Sequence, residues 1–138
     1  MVRIEGYTDR LDVHATNRQA AILDYKHQSP DKIKKRADQL MDDPQLLLYT
    51  KAISEEHRGT QYRVVEAEWV ALKMNLKKKE SSARSLTVDS LAEQVMALDK
   101  QLYQDLSAVW SGSSLQAFAP ESACRYCEAR GICRKGMW

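Results

Sequence analysis

Long apolar runs are missing from the 138 residues: the longest, such as Leu46 to Leu48 and Trp69 to Leu72, fall far short of the roughly 18 residues a membrane helix needs. No helical span is therefore expected, and no membrane partner. Glycine is scarce, and the one Gly-x4-Gly frame, Gly131 to Gly136, is followed by Met137 rather than Lys-Ser/Thr, so there is no phosphate-cradling P-loop. Neither a GxGxxG fingerprint nor an HExxH zinc motif is present. The three cysteines are odd in number and confined to the last fifteen residues, which excludes a disulfide framework and suits metal ligation better. Net charge is small too, at +2, so no overall field announces a nucleic-acid or membrane partner and any such contact must be a local patch.

What remains is an ordinary globular composition, 43% hydrophobic and 29% charged, in a chain long enough for one domain with a core and too short for two. Residues 1–138 are accordingly read as a single domain, with 118–138 as a cysteine-bearing tail. Arg3, Glu5, Asp9, Arg10 and Asp12 interrupt every candidate secretory core near the N-terminus, and a cytoplasmic location is expected.

The chain opens in a strand-like pattern from Val2 and Ile4, with Gly6 marking a bulge or bend. Ala15 to Arg18 reads as a tight turn, and Ala20 to Lys26 as a central strand covered on two sides. Pro30 opens a helix carrying Ile33, Ala37, Leu40 and Met41, and a second follows from Asp43 as cap to about residue 56. Residues 61 to 73 alternate, with Tyr62 and Val64 and later Glu66 and Glu68 against Val65, Ala67 and Trp69, as a strand. Lys77 to Lys79 and Ser81 to Ser85 read as a polar connection. Ser90 and Glu93 form a capping box for a long amphipathic helix that ends near Gly112.

In an antiparallel hairpin the numbers of opposed residues keep a constant sum. A two-residue loop at Asn17 and Arg18 sets Asp9 opposite Lys26 and diagonal to Asp24; a loop at Thr16 and Asn17 sets Asp9 opposite Asp24. Either register converges two carboxylates with Cβ atoms roughly 4.5 to 8 Å apart. One divalent cation with hard oxygen ligands would explain such an arrangement. The plainer reading is a surface salt bridge of Asp9 with Arg10 or Lys26.

The order Gly6-x2-Asp9-Arg10-x-Asp12, Asp24-Tyr25-Lys26, Gln45-x3-Tyr49 and Cys124-x2-Cys127-x5-Cys133 resembles the RecB-type branch of the PD-(D/E)XK nucleases. Nearest in pattern are AddB-like subunits with a C-terminal iron-sulfur motif. The resemblance implies an α/β, restriction-endonuclease-like mixed sheet flanked by helices. It also implies a Mg²⁺- or Mn²⁺-dependent deoxyribonuclease, expected to be an exonuclease of DNA repair or recombination partnered with a helicase subunit or helicase domain. By the same resemblance Asp9 and Asp24 are metal-binding carboxylates, with the Tyr25 carbonyl also available to the metal. Lys26 is then the lysine of the D-x-K element, and Gln45 and Tyr49 contact DNA or hold the site together. Parity turns Arg10 and Asp12 to the other face, as structural residues.

In such nucleases a fourth cysteine lies upstream, and the four hold a [4Fe-4S] cluster. Here that cysteine is absent, as are the helix and acidic ligand that precede the first strand. The chain therefore reads as a C-terminal fragment lacking the N-terminal helix, weak or inactive alone, with the cluster belonging to the full-length protein. Lys32, Lys34, Lys35 and Arg36, and Lys73 with Lys77 to Lys79, are candidate phosphate contacts. The alternatives are a noncatalytic DNA-binding or scaffold module of the same fold, and a zinc-binding interaction domain.

Overall fold

A computed structural model describes residues 6–55, 59–75, 80–114, 124–125 and 127–133. Two compact units divide the chain, residues 1–100 and 101–138.

The first unit is organised on a four-stranded sheet in the order β1-β2-β3-β4, where β1 is Arg10–His14, β2 Gln19–Lys26, β3 Arg63–Asn75 and β4 Glu80–Thr87. β1 and β2 pair antiparallel with Arg10 opposite Leu23 and His14 opposite Gln19. This is the second of the two registers expected, reached through a four-residue loop rather than a two-residue one. The Arg18 N–H donates to the His14 carbonyl at 3.1 Å and Arg18 takes a positive φ of 53°, which closes the wider turn. Strands β2 and β3 run parallel, and the α1 (Pro30–Ala37) and α2 (Gln45–Glu55) helices fill the crossover between them. Between Ala20 and Ala21 the pairing partner jumps from Val64 to Glu66, so Val65 is a bulge. That extra residue shifts the alternation of β3 by one, a shift that the plain alternation expected over residues 61 to 73 does not include.

Below the bulge, Ala67, Trp69 and Ala71 stand beside Ile22, Asp24 and Lys26 on one face of the sheet. On this face Ile22, Trp69 and Ala67 are fully buried, as are Leu46 and Leu47 of α2 and Ile33 of α1. Each such large side chain contributes roughly 1.5–3 kcal/mol on burial. In α2, Leu46, Thr50 and Ile53 recur at helical spacing, and the Thr50 hydroxyl donates to the Leu46 carbonyl at 2.8 Å, so its burial leaves no unpaired donor.

β2 is not covered equally on both sides. Ala20, Ile22 and Asp24 are buried, whereas Ala21 and Leu23 are half-buried and Tyr25 is exposed. The helix α2 meets the Asp24 face, where Lys26 donates to Gln45.

The polar stretch after β3 also differs from the expected connection, because residues 80–87 form β4 against β3. An edge strand has a partner on one side only and tolerates serine, arginine and threonine on its exposed surfaces, so a low-hydrophobicity segment there carries no strand signature. Lys77 to Lys79 lie outside the described residues, as do residues 1–5 with the expected opening strand. Helix α1 ends at Ala37 rather than continuing, and Met41 is exposed. α2 begins at Gln45, so Pro44 rather than Asp43 is the residue next to its first turn, and the Asp43 carboxylate accepts from Arg36. Ser90 has a φ of 50°, outside the extended region an N-cap requires, so α3 (Leu91–Trp110) begins without the expected box geometry; its first turn closes through the Gln94 N–H donating to the Ser90 carbonyl.

In the second unit α3 ends as expected at Gly112. The Ser113 N–H donates to the Ala108 carbonyl and the Gly112 N–H to the Val109 carbonyl, each at 3.0 Å, with Gly112 at φ 91°. This is the Schellman arrangement, and only glycine reaches it without Cβ strain. A short 3-10 turn, Glu128–Gly131, lies among the cysteines.

Candidate active site

Asp24 is the most conspicuous polar residue of the first unit: it is 2% exposed on the helix-covered face of β2. Its Oδ2 lies 2.7 Å from the Lys26 ammonium, two residues along the strand and therefore on the same face. Among the described residues this ion pair is the contact that oxygen has, with no hydrogen bond beside it. Lys26 Nζ donates to Gln45 Oε1 at 2.7 Å, and Gln45 Nε2 donates to the Tyr49 hydroxyl at 2.9 Å. Gln45 and Tyr49 are one helical turn apart at the start of α2, so a single helix face supplies both. Four residues thus form one chain, Asp24–Lys26–Gln45–Tyr49.

Gly6 packs against the end of this chain. A Cβ at that position would sit 3.2 Å from Tyr49 Cε1, closer than a side chain comfortably approaches. A glycine here lets the backbone lie against the tyrosine ring, a different requirement from the strand bend read in the sequence.

Asp9 comes just before β1 and is exposed. Its Oδ2 accepts from the Tyr25 backbone N–H at 2.8 Å, so the carboxylate meets the peptide that joins Asp24 to Tyr25. Extending the β1–β2 register by one residue sets Asp9 opposite Asp24. Arg10 and Asp12 pair with Leu23 and Ala21, which places them on the other face of the sheet, and Arg10 Nε donates to Asp12 Oδ1 at 2.8 Å. Hydrogen bonding to Asp12, and next to Tyr25, holds the Arg10 guanidinium above its ordinary pKa.

Two features gave no signal in the sequence. Trp69 is the register partner of Asp24, and its indole Nε1 is buried with no hydrogen-bond partner among the described residues. Arg36, grouped in the sequence with the lysines as a phosphate contact, instead donates to Gln28 and to Asp43. Lys32, Lys34 and Lys35 are exposed on α1, and Lys73 is exposed on β3.

In the second unit Cys124 is half-buried while Cys127 and Cys133 are exposed, and no disulfide joins them. The Cys127 N–H donates to the Cys124 carbonyl at 3.3 Å and the Cys133 N–H to the Ala129 carbonyl at 2.8 Å. Among the described residues no group of three or more His, Cys, Asp or Glu side chains is gathered closely enough to hold a metal ion. The three thiols as placed do not fit an iron-sulfur cluster, which needs its ligands converged.

A mixed four-stranded sheet flanked by helices, with an Asp-x-Lys element on one of its two parallel strands and a second aspartate just before the antiparallel neighbour, defines an α/β domain. The chain belongs to the PD-(D/E)XK nuclease superfamily, whose family model matches residues 1–134. No curated protein and no solved structure matched it. Members of this superfamily generally use Mg²⁺ or Mn²⁺. The chemistry of the residues present fits such an ion: Asp24 offers a buried carboxylate whose Oδ2, beside its ion pair with Lys26, has no hydrogen bond among the described residues, and Asp9 offers an exposed carboxylate bonded to the adjoining peptide. Two carboxylates suffice for Mg²⁺, which keeps several waters and takes phosphate oxygens as further ligands. Among the described residues no helix is long and apolar enough to cross a membrane.

Proposed function

We propose that this domain hydrolyses phosphodiester bonds in DNA with Mg²⁺ or Mn²⁺, using Asp9, Asp24 and Lys26 as its reacting-centre residues, Gln45 and Tyr49 as their support, and the Tyr25 carbonyl as a further metal ligand. The observation that carries this reading is the Asp24 carboxylate, which is buried and whose Oδ2 has the Lys26 ammonium at 2.7 Å and, among the described residues, no hydrogen bond besides. A buried carboxylate is costly to keep charged, and a divalent ion would offset that cost beyond what the single Lys26 ammonium does. A bound divalent ion would supply a lowered pKa for a coordinated water and charge neutralisation at the scissile phosphate.

The chain's own groups do the rest. Lys26 keeps one hydrogen on Gln45 and has others to offer a water or a phosphoryl oxygen as negative charge develops there. Gln45 can hold Lys26 in this orientation because its amide is itself fixed by Tyr49. In the hydrolysis a water oxygen forms the new bond to phosphorus, the bond to the departing sugar oxygen breaks, and the proton lost by the water ends on solvent or on that oxygen. Exposed Lys32, Lys34, Lys35 and Lys73 supply a basic surface for the strand without reading its sequence.

Exonucleolytic action, a role in repair or recombination, a RecB-type parentage and a helicase partner are the finer parts of this reading, and the ordered motifs of the sequence are their support. The cluster has no part in it, because the cysteines as placed do not fit one. In the full-length protein, Asp24→Ala and Lys26→Ala should abolish metal-dependent cleavage of end-labelled DNA while most DNA affinity is kept, since affinity is spread over many phosphate contacts. Retention of DNA binding by a wild-type protein that cleaves nothing would instead favour the noncatalytic module.

A further inference from the structure

We infer that Arg36 is a positioning residue for the candidate site, acting through Gln28 and Asp43 on the hydrogen bond between Lys26 and Gln45. Arg36 lies in the last turn of α1, and its guanidinium is used on two sides. Nε donates to Gln28 Oε1 at 3.3 Å, and the Nη1 group donates to Asp43 Oδ2 as an ion pair. Both contacts are tied to the site. The Gln28 N–H donates to the Lys26 carbonyl at 2.8 Å, so Gln28 is fastened to the strand end that carries the lysine. Asp43 directly precedes Pro44, whose carbonyl accepts the Leu48 N–H at 2.8 Å in the opening turn of α2, and Gln45 is the next residue.

The two contacts of Arg36 therefore stand within two residues of each end of the Lys26–Gln45 bond. The alternative restraint is poor, because residues 38–44 between the helices are a succession of turns. Their regular bonding is limited to short-range links such as Asp42 N–H to the Gln39 carbonyl. A guanidinium suits this position because its planar fork engages two acceptors in fixed directions, which an ammonium cannot do. It follows that Arg36 is withdrawn from the run of exposed lysines beside it.

This inference rests on the proposed reading of Lys26 and Gln45, and its test separates the two. Arg36→Met and Asp43→Asn are made in the full chain, alone and in a Gln45→Ala background, and cleavage of labelled DNA is measured with Mn²⁺ across substrate concentrations. Misplacement of a reacting group by an ångström costs up to about 10²-fold, so a loss of about tenfold in kcat is expected for Arg36→Met, with KM within about twofold. In the Gln45→Ala background the same substitution should cost less than about twofold, because the group it positions is already gone. A rise in KM with a shallower salt dependence would instead make Arg36 a phosphate contact and overturn the inference. An equal loss in both backgrounds would mark a purely structural residue and overturn it as well. Should the wild-type protein cleave nothing, the Gln45 side-chain amide resonances still decide: Arg36→Met must shift them for the inference to stand, and unchanged resonances refute it.

Discussion

Replacing Lys26 by methionine keeps the aliphatic stem and removes the cation paired with a buried carboxylate. Asp24 is 2% exposed and its Oδ2 has no hydrogen bond, so the Lys26 ammonium at 2.7 Å is its main electrostatic support. Removing one partner of a fully buried pair costs about 3–5 kcal/mol. Lys26 keeps 21% of its side chain exposed, which lets water reach the pair and places the cost nearer about 2–3 kcal/mol. At roughly 3–5 °C per kcal/mol for a chain of this size, Lys26→Met should lower Tm by about 6–15 °C in metal-free buffer. The double variant Asp24→Asn/Lys26→Met removes the unpaired charge as well and should recover most of that loss, while cleavage stays absent from both. Scanning calorimetry with a chelator, on both variants and the wild type, reads the comparison directly. A single variant as stable as wild type, or a double variant no better than the single, would refute the claim that the Asp24 carboxylate depends on Lys26.

Asp9→Ala removes the acceptor for the Tyr25 N–H; because Asp9 is exposed, urea unfolding should show a loss of only about 0.5–1.5 kcal/mol, while single-turnover assays show cleavage falling to background. Gly6→Ala adds a methyl 3.2 Å from Tyr49 Cε1 and should displace the ring by a few tenths of an ångström, visible as a shift of the Tyr49 ring resonances and a severalfold lower kcat. Lys51 is held above its ordinary 10.5, first by hydrogen bonding to Asp99 and then to Glu55. Its contribution is therefore fully present below pH 10.5, is lost as pH rises through the raised value, and should amount to under about 1 kcal/mol for partners this exposed. Urea midpoints of wild type and Lys51→Met should accordingly differ at neutral pH and converge at strongly alkaline pH.

The hairpin site was legible because a strand has period two and an antiparallel pair has fixed opposition, so Asp24 and Lys26 had to share a face and Asp9 had to fall near them. Gln45 and Tyr49 followed from helical spacing in the same way. The loop length was not legible, since two- and four-residue loops can produce the same register, and Arg18 alone reveals the choice by its positive φ. β4 escaped notice because an edge strand with one partner needs no apolar alternation, and Ser82, Ala83, Arg84 and Ser85 are all exposed. Arg36 was misread for a different reason. Its neighbours Lys32, Lys34 and Lys35 do face solvent, and nothing in a run of basic residues distinguishes the one whose turn on the helix brings it to Gln28 and Asp43.

The measurement closest to the central claim is cleavage of end-labelled single- and double-stranded DNA by the full-length protein and its Lys26→Met variant, side by side, with Mg²⁺, with Mn²⁺ and with chelator. The account predicts cleavage by the wild type only when a divalent ion is supplied, and DNA binding without cleavage by the variant. Cleavage by Lys26→Met at the wild-type rate, or wild-type cleavage undiminished in chelator, would contradict it.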